Sequence, residues 1–172
     1  MGKGTLIRAL RESVPELELS TSATTRPPRP GERDGADYHF LSEDEFARRV
    51  AAGEFLEHAI YSGNMYGTLR SEVEGRTARG APVLLEIELQ GARQVRASMP
   101  EAVQIFIAPP SAHDLRRRLQ GRGTDSAEVI EARLRVAVEE LAARGEFRHT
   151  IVNDDVERAT VELAALVRGG AI

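Results

Sequence analysis

Short, wholly apolar strands alternating with helices predict an α/β fold, a mostly parallel sheet flanked by helices on both faces. Two further observations complete the prediction. Residues 38–70 break the alternation with smaller strands, which predicts an inserted subdomain. Residues 115–124 set Arg116, Arg117, Arg118 and Arg122 around Gly121 and Gly123, which predicts a hinged, arginine-rich lid. A chain of 172 residues accommodates one domain of this kind.

Each element follows from its residues. Leu6, Ile7 and Leu10 give residues 4–13 one apolar face, a short helix closed by Pro15. Leu17 and Leu19 alternate with Glu16, Glu18 and Ser20, a short strand. Residues 20–37, rich in Ser, Thr, Pro, Gly and Arg, read as an extended loop. Tyr38, Phe40 and Leu41 read as a strand. Ser42 with Glu45 forms a capping box, opening a helix through Phe46 and Val50 to Gly53. Phe55 to Tyr61 is a strand, and residues 70–79 are a helix ended by Gly80. Val83, Leu84, Leu85 and Ile87 read as a buried strand, followed by a helix over 91–98 stopped by Pro100. Val103 to Ile107 is another buried strand, ended by Pro109 and Pro110. Ser111 and Asp114 open a helix to about Leu119. A helix over 126–144, a strand at Thr150–Val152 and a helix from Asp154 or Asp155 to Arg168 close the chain.

Composition narrows the function. Net charge is −4, which argues against a general nucleic-acid binder. The absence of cysteine excludes disulfides, thiolate nucleophiles and Cys-ligated metals. With no long apolar run and no signal-like N-terminus, a cytoplasmic protein without a membrane partner is expected. Leu6 stands where a myristoylation signal needs Ser or Thr. Of 23 basic residues only Lys3 is lysine, and it sits between Gly2 and Gly4. A compact ammonium there differs most from a guanidinium fork.

Four constellations carry chemistry. Gly2, Lys3, Gly4 and Thr5 open the first helix, half of a phosphate-cradling loop: glycines admit the anion to backbone N–H groups and the lysine reaches terminal phosphates. Arg26 and Arg29 lie three apart in a proline-stiffened loop, two donor forks suited to a phosphate or carboxylate, with Tyr38 able to add a hydroxyl. The arginines around Gly121 and Gly123 suit a lid that closes over substrates and supplies positive charge. Glu86 and Glu88 share one side of a strand near its C-terminal end, where an open parallel sheet binds ligands; they could hold hydrated Mg2+ or hydrogen-bond a substrate. Each piece also has a plain alternative: a flexible terminus, a solvated basic loop, a helix C-terminus with dipole-matching cations, and strand-end solvation.

Together and in order, these pieces resemble the guanylate kinase family. The stretches that carry the resemblance run from Ser20 or Ser22 through Thr25-Arg26 and Gly31-Glu32 to Asp37-Tyr38, then cover 55–59, 62–68, 85–91, 105–111, 118–124 and 151–155. The resemblance implies a P-loop NTPase-like parallel sheet, with a core over 1–22, 82–113 and 135–172. It implies a GMP-binding insertion over 23–81 and a lid over 114–134. It implies ATP-dependent phosphorylation of GMP to GDP with Mg2+ riding on ATP. By residue, it places the GMP phosphate on Arg26, Arg29, Tyr38 and Tyr66, the guanine on Ser22, Glu57 and Thr68, and a further GMP contact on Glu88. It assigns ATP to Gly2, Lys3, Gly4, Thr5, Arg118, Arg122 and Asn153, catalysis to Lys3, Arg26, Arg118, Arg122 and Arg133, and the metal to Thr5 and, through water, Glu86. Glu57 could accept from guanine N1–H and the 2-amine together, a donor pair that adenine lacks.

Three departures from the family pattern stand out. The family's first strand and the front of its phosphate loop do not precede Gly2. Gly4 occupies a position where many relatives have Ser or Thr, and Glu88 and Met65 replace a usual Asp and aromatic. The missing front of the phosphate loop supports a rival, a catalytically impaired guanylate-kinase-like binding module. Monomer and homo-oligomer are both left open.

Overall fold

The computed structural model describes residues 3–61, 63–120 and 127–169. In chain order the elements are α1 (Lys3–Ser13), β1 (Glu18–Leu19), β2 (Ala23–Thr24), β3 (His39–Phe40), α2 (Glu43–Ala51), β4 (Phe55–Tyr61), β5 (Asn64–Leu69) and α3 (Arg70–Thr77). Then follow β6 (Val83–Leu84), α4 (Leu89–Ser98), β7 (Ile105–Ala108), α5 (Ala112–Gln120), α6 (Ala127–Ala142), a 3-10 turn (Ala143–Glu146), β8 (His149–Val152) and α7 (Val156–Arg168). They form two compact units, residues 15–102 and residues 1–14 with 103–172.

In the unit of residues 15–102, β1 pairs in parallel with β6, Glu18 opposite Val83 and Leu19 opposite Leu84. A second sheet has the order β3-β2-β5-β4, antiparallel at β2–β5 and β4–β5 and parallel at β2–β3. Two apolar clusters hold it. Ala23, Phe46, Phe55 and Leu69 form one, with the Phe46 and Phe55 rings stacked at 4.4 Å. Leu56, Val73 and Val95 form the other. Gly67 is needed between them: a Cβ would lie 2.7 Å from both the Phe55 ring and the Glu57 carbonyl oxygen.

Helix α2 starts as its sequence demands. The Ser42 hydroxyl accepts the Glu45 N–H at 3.2 Å. The Glu45 carboxylate is taken by Arg49 at 2.6 Å and by Arg48.

In the other unit β7 and β8 pair in parallel from Ile105–His149 to Ala108–Val152. Helix α1 turns Leu6 and Leu10 inward and packs against α7, whose buried face is Ala159, Leu163 and Ala164. Asp155 caps α7 by accepting the Arg158 N–H at 2.8 Å. Helices α5 and α6 meet through Leu115, Ala137, Ile130 and Leu134. Among the described residues no helix is long and apolar enough to cross a membrane.

Three expectations need correction. The 20–37 segment is not all loop, because Ala23 and Thr24 enter the sheet and are buried there. Strand β5, formed by Asn64–Leu69, has a gapped apolar pattern and escaped the periodicity reading. Finally, β6 stops at Leu84, so Glu86 and Glu88 do not share a strand face. The pairing ends where its partner ends: the Ser20 N–H donates to Leu84 O at 3.0 Å, and the chain then turns away toward β2. Glu88 instead occupies the N-cap position of α4.

Candidate active site

The unit of residues 15–102 presents two polar centres. The first is built on β4. Register shifts between Phe55 and Glu57, so that three successive residues are buried: Phe55, Leu56 and Glu57. Strict alternation would have turned one of them to solvent; a bulge re-aims the side chains, as bulges near binding sites do. Phe55 and Leu56 enter the two different apolar clusters. Glu57 is left 5% exposed beside Thr68, which is fully buried. The Thr68 hydroxyl donates to Glu57 Oε1 at 2.7 Å. Burial raises the Glu57 pKa above the usual carboxylate range, against the lowering pull of the Thr68 hydroxyl and backbone N–H. Among the described residues no cation pairs with it.

The second centre is the arginine loop. The Arg26 guanidinium is 12% exposed and sets one nitrogen against both oxygens of Glu32, with Nη2 at 2.9 Å from Oε1 and 3.0 Å from Oε2. Nη1 donates to the Pro27 carbonyl at 2.7 Å. The fork lies over the rings of Tyr38 at 5.3 Å and Phe40 at 5.9 Å. Tyr66 meets Tyr38 edge-on at 6.2 Å and is a further polar neighbour of Arg26. Glu32 also accepts the Arg29 backbone N–H at 2.6 Å. That N–H first, and Arg26 after it, hold the Glu32 carboxyl below its ordinary pKa. Desolvation raises the Tyr38 pKa, and the Glu86 charge adds to the rise.

Glu72 on α3 ties the frame around this loop. It accepts from Thr21 N–H at 3.2 Å and Arg76 Nη1 at 2.7 Å, and lies 3.0 Å from His39 Nε2. Burial pushes its carboxyl up, yet the His39 and Thr21 hydrogen bonds win and its pKa is lowered.

The sequence-expected residues therefore divide. Arg26, Tyr38 and Tyr66 are brought together, and so are Glu57 and Thr68. Arg29 joins the first group through its backbone N–H. The Ser22 carbonyl accepts the His39 N–H at 2.9 Å, which ties β2 to β3. Glu86 and Glu88 lie in the connection from β6 to α4.

In the other unit, Lys3, Gly4 and Thr5 form the first turn of α1. A Cβ at Gly4 would meet nothing within 4 Å, so packing does not impose glycine there. Asn153, 3% exposed, follows β8 and donates its N–H to Ala108 O at 2.8 Å. Arg118 lies on α5 and Arg133 on α6; their side chains, and all of Gly2 and Arg122, fall outside the described residues. Three contributors carried no sequence-level role: Glu32, Gly91 and Gln94. All occur in or beside the motif stretches, but their importance is steric or mutual and leaves no pattern of its own.

Parallel strand pairs and helices in both units, with a mixed sheet in the unit of residues 15–102, make this an α/β protein, and its structural likeness to a solved guanylate kinase places it in the P-loop NTPase-like class. A family model described as guanylate kinase matches residues 1–169. The chain belongs to the guanylate kinase family. A guanylate kinase of Frankia casuarinae is 57% identical over 169 residues, covering 98% of this chain and 92% of the relative. One of Rubrobacter xylanophilus is 55% identical over 167 residues, covering 97% and 87%. The crystal structure of guanylate kinase from Anaplasma phagocytophilum superposes with a TM-score of 0.79 at 34% identity, covering 96% of this chain and 82% of that one. None of these comparisons supports the impaired-module reading.

Proposed function

We propose that the chain phosphorylates GMP with ATP, giving ADP and GDP, in purine nucleotide recycling in the cytoplasm. The observation that carries this reading is Glu57: a buried carboxylate, oriented by Thr68 and paired with no cation among the described residues. A protein gains no stability from such a group unless a ligand supplies its donors. Guanine does so with N1–H and the 2-amine, and AMP would leave the carboxylate unpaired. Ser22 and Thr68 complete the base pocket.

The GMP phosphate is assigned to Arg26, Arg29, Tyr38 and Tyr66. Stacking over Tyr38 and Phe40 orients the Arg26 fork, and Glu32 shares it until a phosphate arrives. Glu88 is assigned a further GMP contact. Lys3, with Gly2, Gly4 and Thr5, takes the ATP phosphates at the start of α1, where the helix favours anions. Asn153 is an ATP-side residue, and Arg118, Arg122 and Arg133 supply lid charge. Domain roles follow: a GMP-binding insertion over 23–81, a lid over 114–134 and the rest as core. Transfer needs no protein nucleophile; positioning and charge do the work.

A nucleotide phosphotransfer of this type generally uses a divalent ion. Among the described residues no group of three or more His, Asp or Glu could cage one. We assign Mg2+, with Thr5 and, through water, Glu86 as its protein oxygens. When bound, Mg2+ neutralises charge on the phosphates.

The test is ADP release from ATP and Mg2+ with GMP, with AMP and with neither. GMP-dependent turnover of about ten per second or faster supports the reading. Equal turnover with AMP, or none with either, contradicts it.

A further inference from the structure

We propose that Gly91 is a specificity-positioning residue: its missing side chain is the space in which the Glu57 carboxylate stands. The inference rests on the guanine reading of Glu57 given above.

Gly91 lies in α4 and is buried. A Cβ built on it would overlap Glu57 Oε2, and would lie 3.0 Å from Cδ and 3.4 Å from Cγ. All three of these nearest atoms belong to Glu57. The Gly91 φ is not among the positive ones, so no left-handed backbone requires glycine at this position. Gly91 is the third residue of α4, and in a helix alanine is otherwise the better residue. The demand for glycine therefore comes from the carboxylate, not from the helix.

The helix cannot step back to make room. One turn on, Gln94 grips the backbone of the residue after Glu57: Nε2 donates to His58 O at 2.6 Å, and Oε1 accepts the His58 N–H at 3.1 Å. On its other side the carboxylate is tied to Thr68 at 2.7 Å. A methyl at position 91 would push Oε2 aside, and the end of a flexible side chain would yield before the pinned backbone does. The fold survives and the reading of the base does not.

The experiment is Gly91→Ala, assayed for Tm and for steady-state kinetics with GMP, AMP and ATP. The expected result is a Tm unchanged or raised, with KM for GMP up about ten- to a hundred-fold, as for an ångström-scale misplacement. KM for ATP should stay within about two-fold, and the preference for GMP over AMP should fall. A second variant isolates the cause. In Glu57→Asp the shorter side chain withdraws from position 91, so adding Gly91→Ala to it should cost little further, a strongly non-additive cycle.

An unchanged KM for GMP in folded Gly91→Ala overturns the proposal, and so does a lowered Tm with both KM values rising together. Additive losses in the double variant overturn it too. Glu57→Gln separates this inference from the reading beneath it. If Glu57→Gln keeps the GMP preference, the guanine reading fails; if it abolishes the preference while Gly91→Ala does not, only the role of Gly91 fails.

Discussion

Glu57 and Glu32 sit in the same unit, and the protein treats them oppositely. Glu32 is met by the Arg29 N–H and, on both of its oxygens, by Arg26 Nη2, and its pKa is lowered. Glu57 is more deeply buried, receives only Thr68 among the described residues, and its pKa is raised. One charge is satisfied by the chain itself. The other is held at a cost, which folding alone does not repay. On the proposed reading the difference separates two roles: a buried carboxylate without a cation partner among the described residues would punish the wrong base, whereas a compensated one would tune an arginine already in place.

The strongest way to break this comparison is Glu57→Gln. A neutral amide offers a single acceptor oxygen, so kcat/KM with GMP should fall on the order of a thousand-fold. Stability should move the other way. A carboxyl whose folded pKa lies above its unfolded value contributes stability below the unfolded pKa and loses it as pH rises through the folded one. Above the unfolded pKa Glu57 is therefore a burden to the fold, and the variant's Tm should hold or rise. A clear fall in Tm would mean that Glu57 is a structural anchor.

The pH dependence sharpens the same point with a smaller effect. On the proposed reading guanine binding needs the ionised carboxylate, and burial raises its pKa. KM for GMP should climb by up to about ten-fold per pH unit as pH falls below that pKa. The midpoint should lie above the ordinary glutamate value of about 4.3, and the profile should flatten in Glu57→Gln. An unshifted midpoint would remove the contrast with Glu32.

The smallest effect is expected at Glu32 itself. Glu32→Gln keeps one acceptor for Arg26 and weakens its orientation, so KM for GMP should rise only a few-fold, about three to ten. A loss as large as that of Glu57→Gln would place base-level importance on the arginine loop.

Much of this was legible in the chain. The capping of α2 by Ser42 and the start of α7 at Asp155 are local chemistry, and local chemistry shows in sequence. The motif stretches likewise point to Arg26, Tyr38, Glu57 and Thr68. Other features were hidden because they depend on partners far along the chain. Strand β6 ends when β1 ends, so the acidic pair Glu86 and Glu88 reads as a strand face and is not one. The bulge that buries Phe55, Leu56 and Glu57 together arises from pairing with β5. Gly91 looks like a poor helix residue until the Glu57 carboxylate is set against it.

The most direct measurement compares binding of GMP and inosine monophosphate by calorimetry, in the native chain and in Glu57→Gln. The two ligands share the phosphate, ribose and N1–H, and differ only in the 2-amine that Glu57 would accept from. The account predicts that the native chain binds GMP about ten- to a hundred-fold more tightly, as for one hydrogen bond to a charged group, and that the gap closes in the variant. Equal affinities in the native chain, or a gap that survives Glu57→Gln, would contradict it.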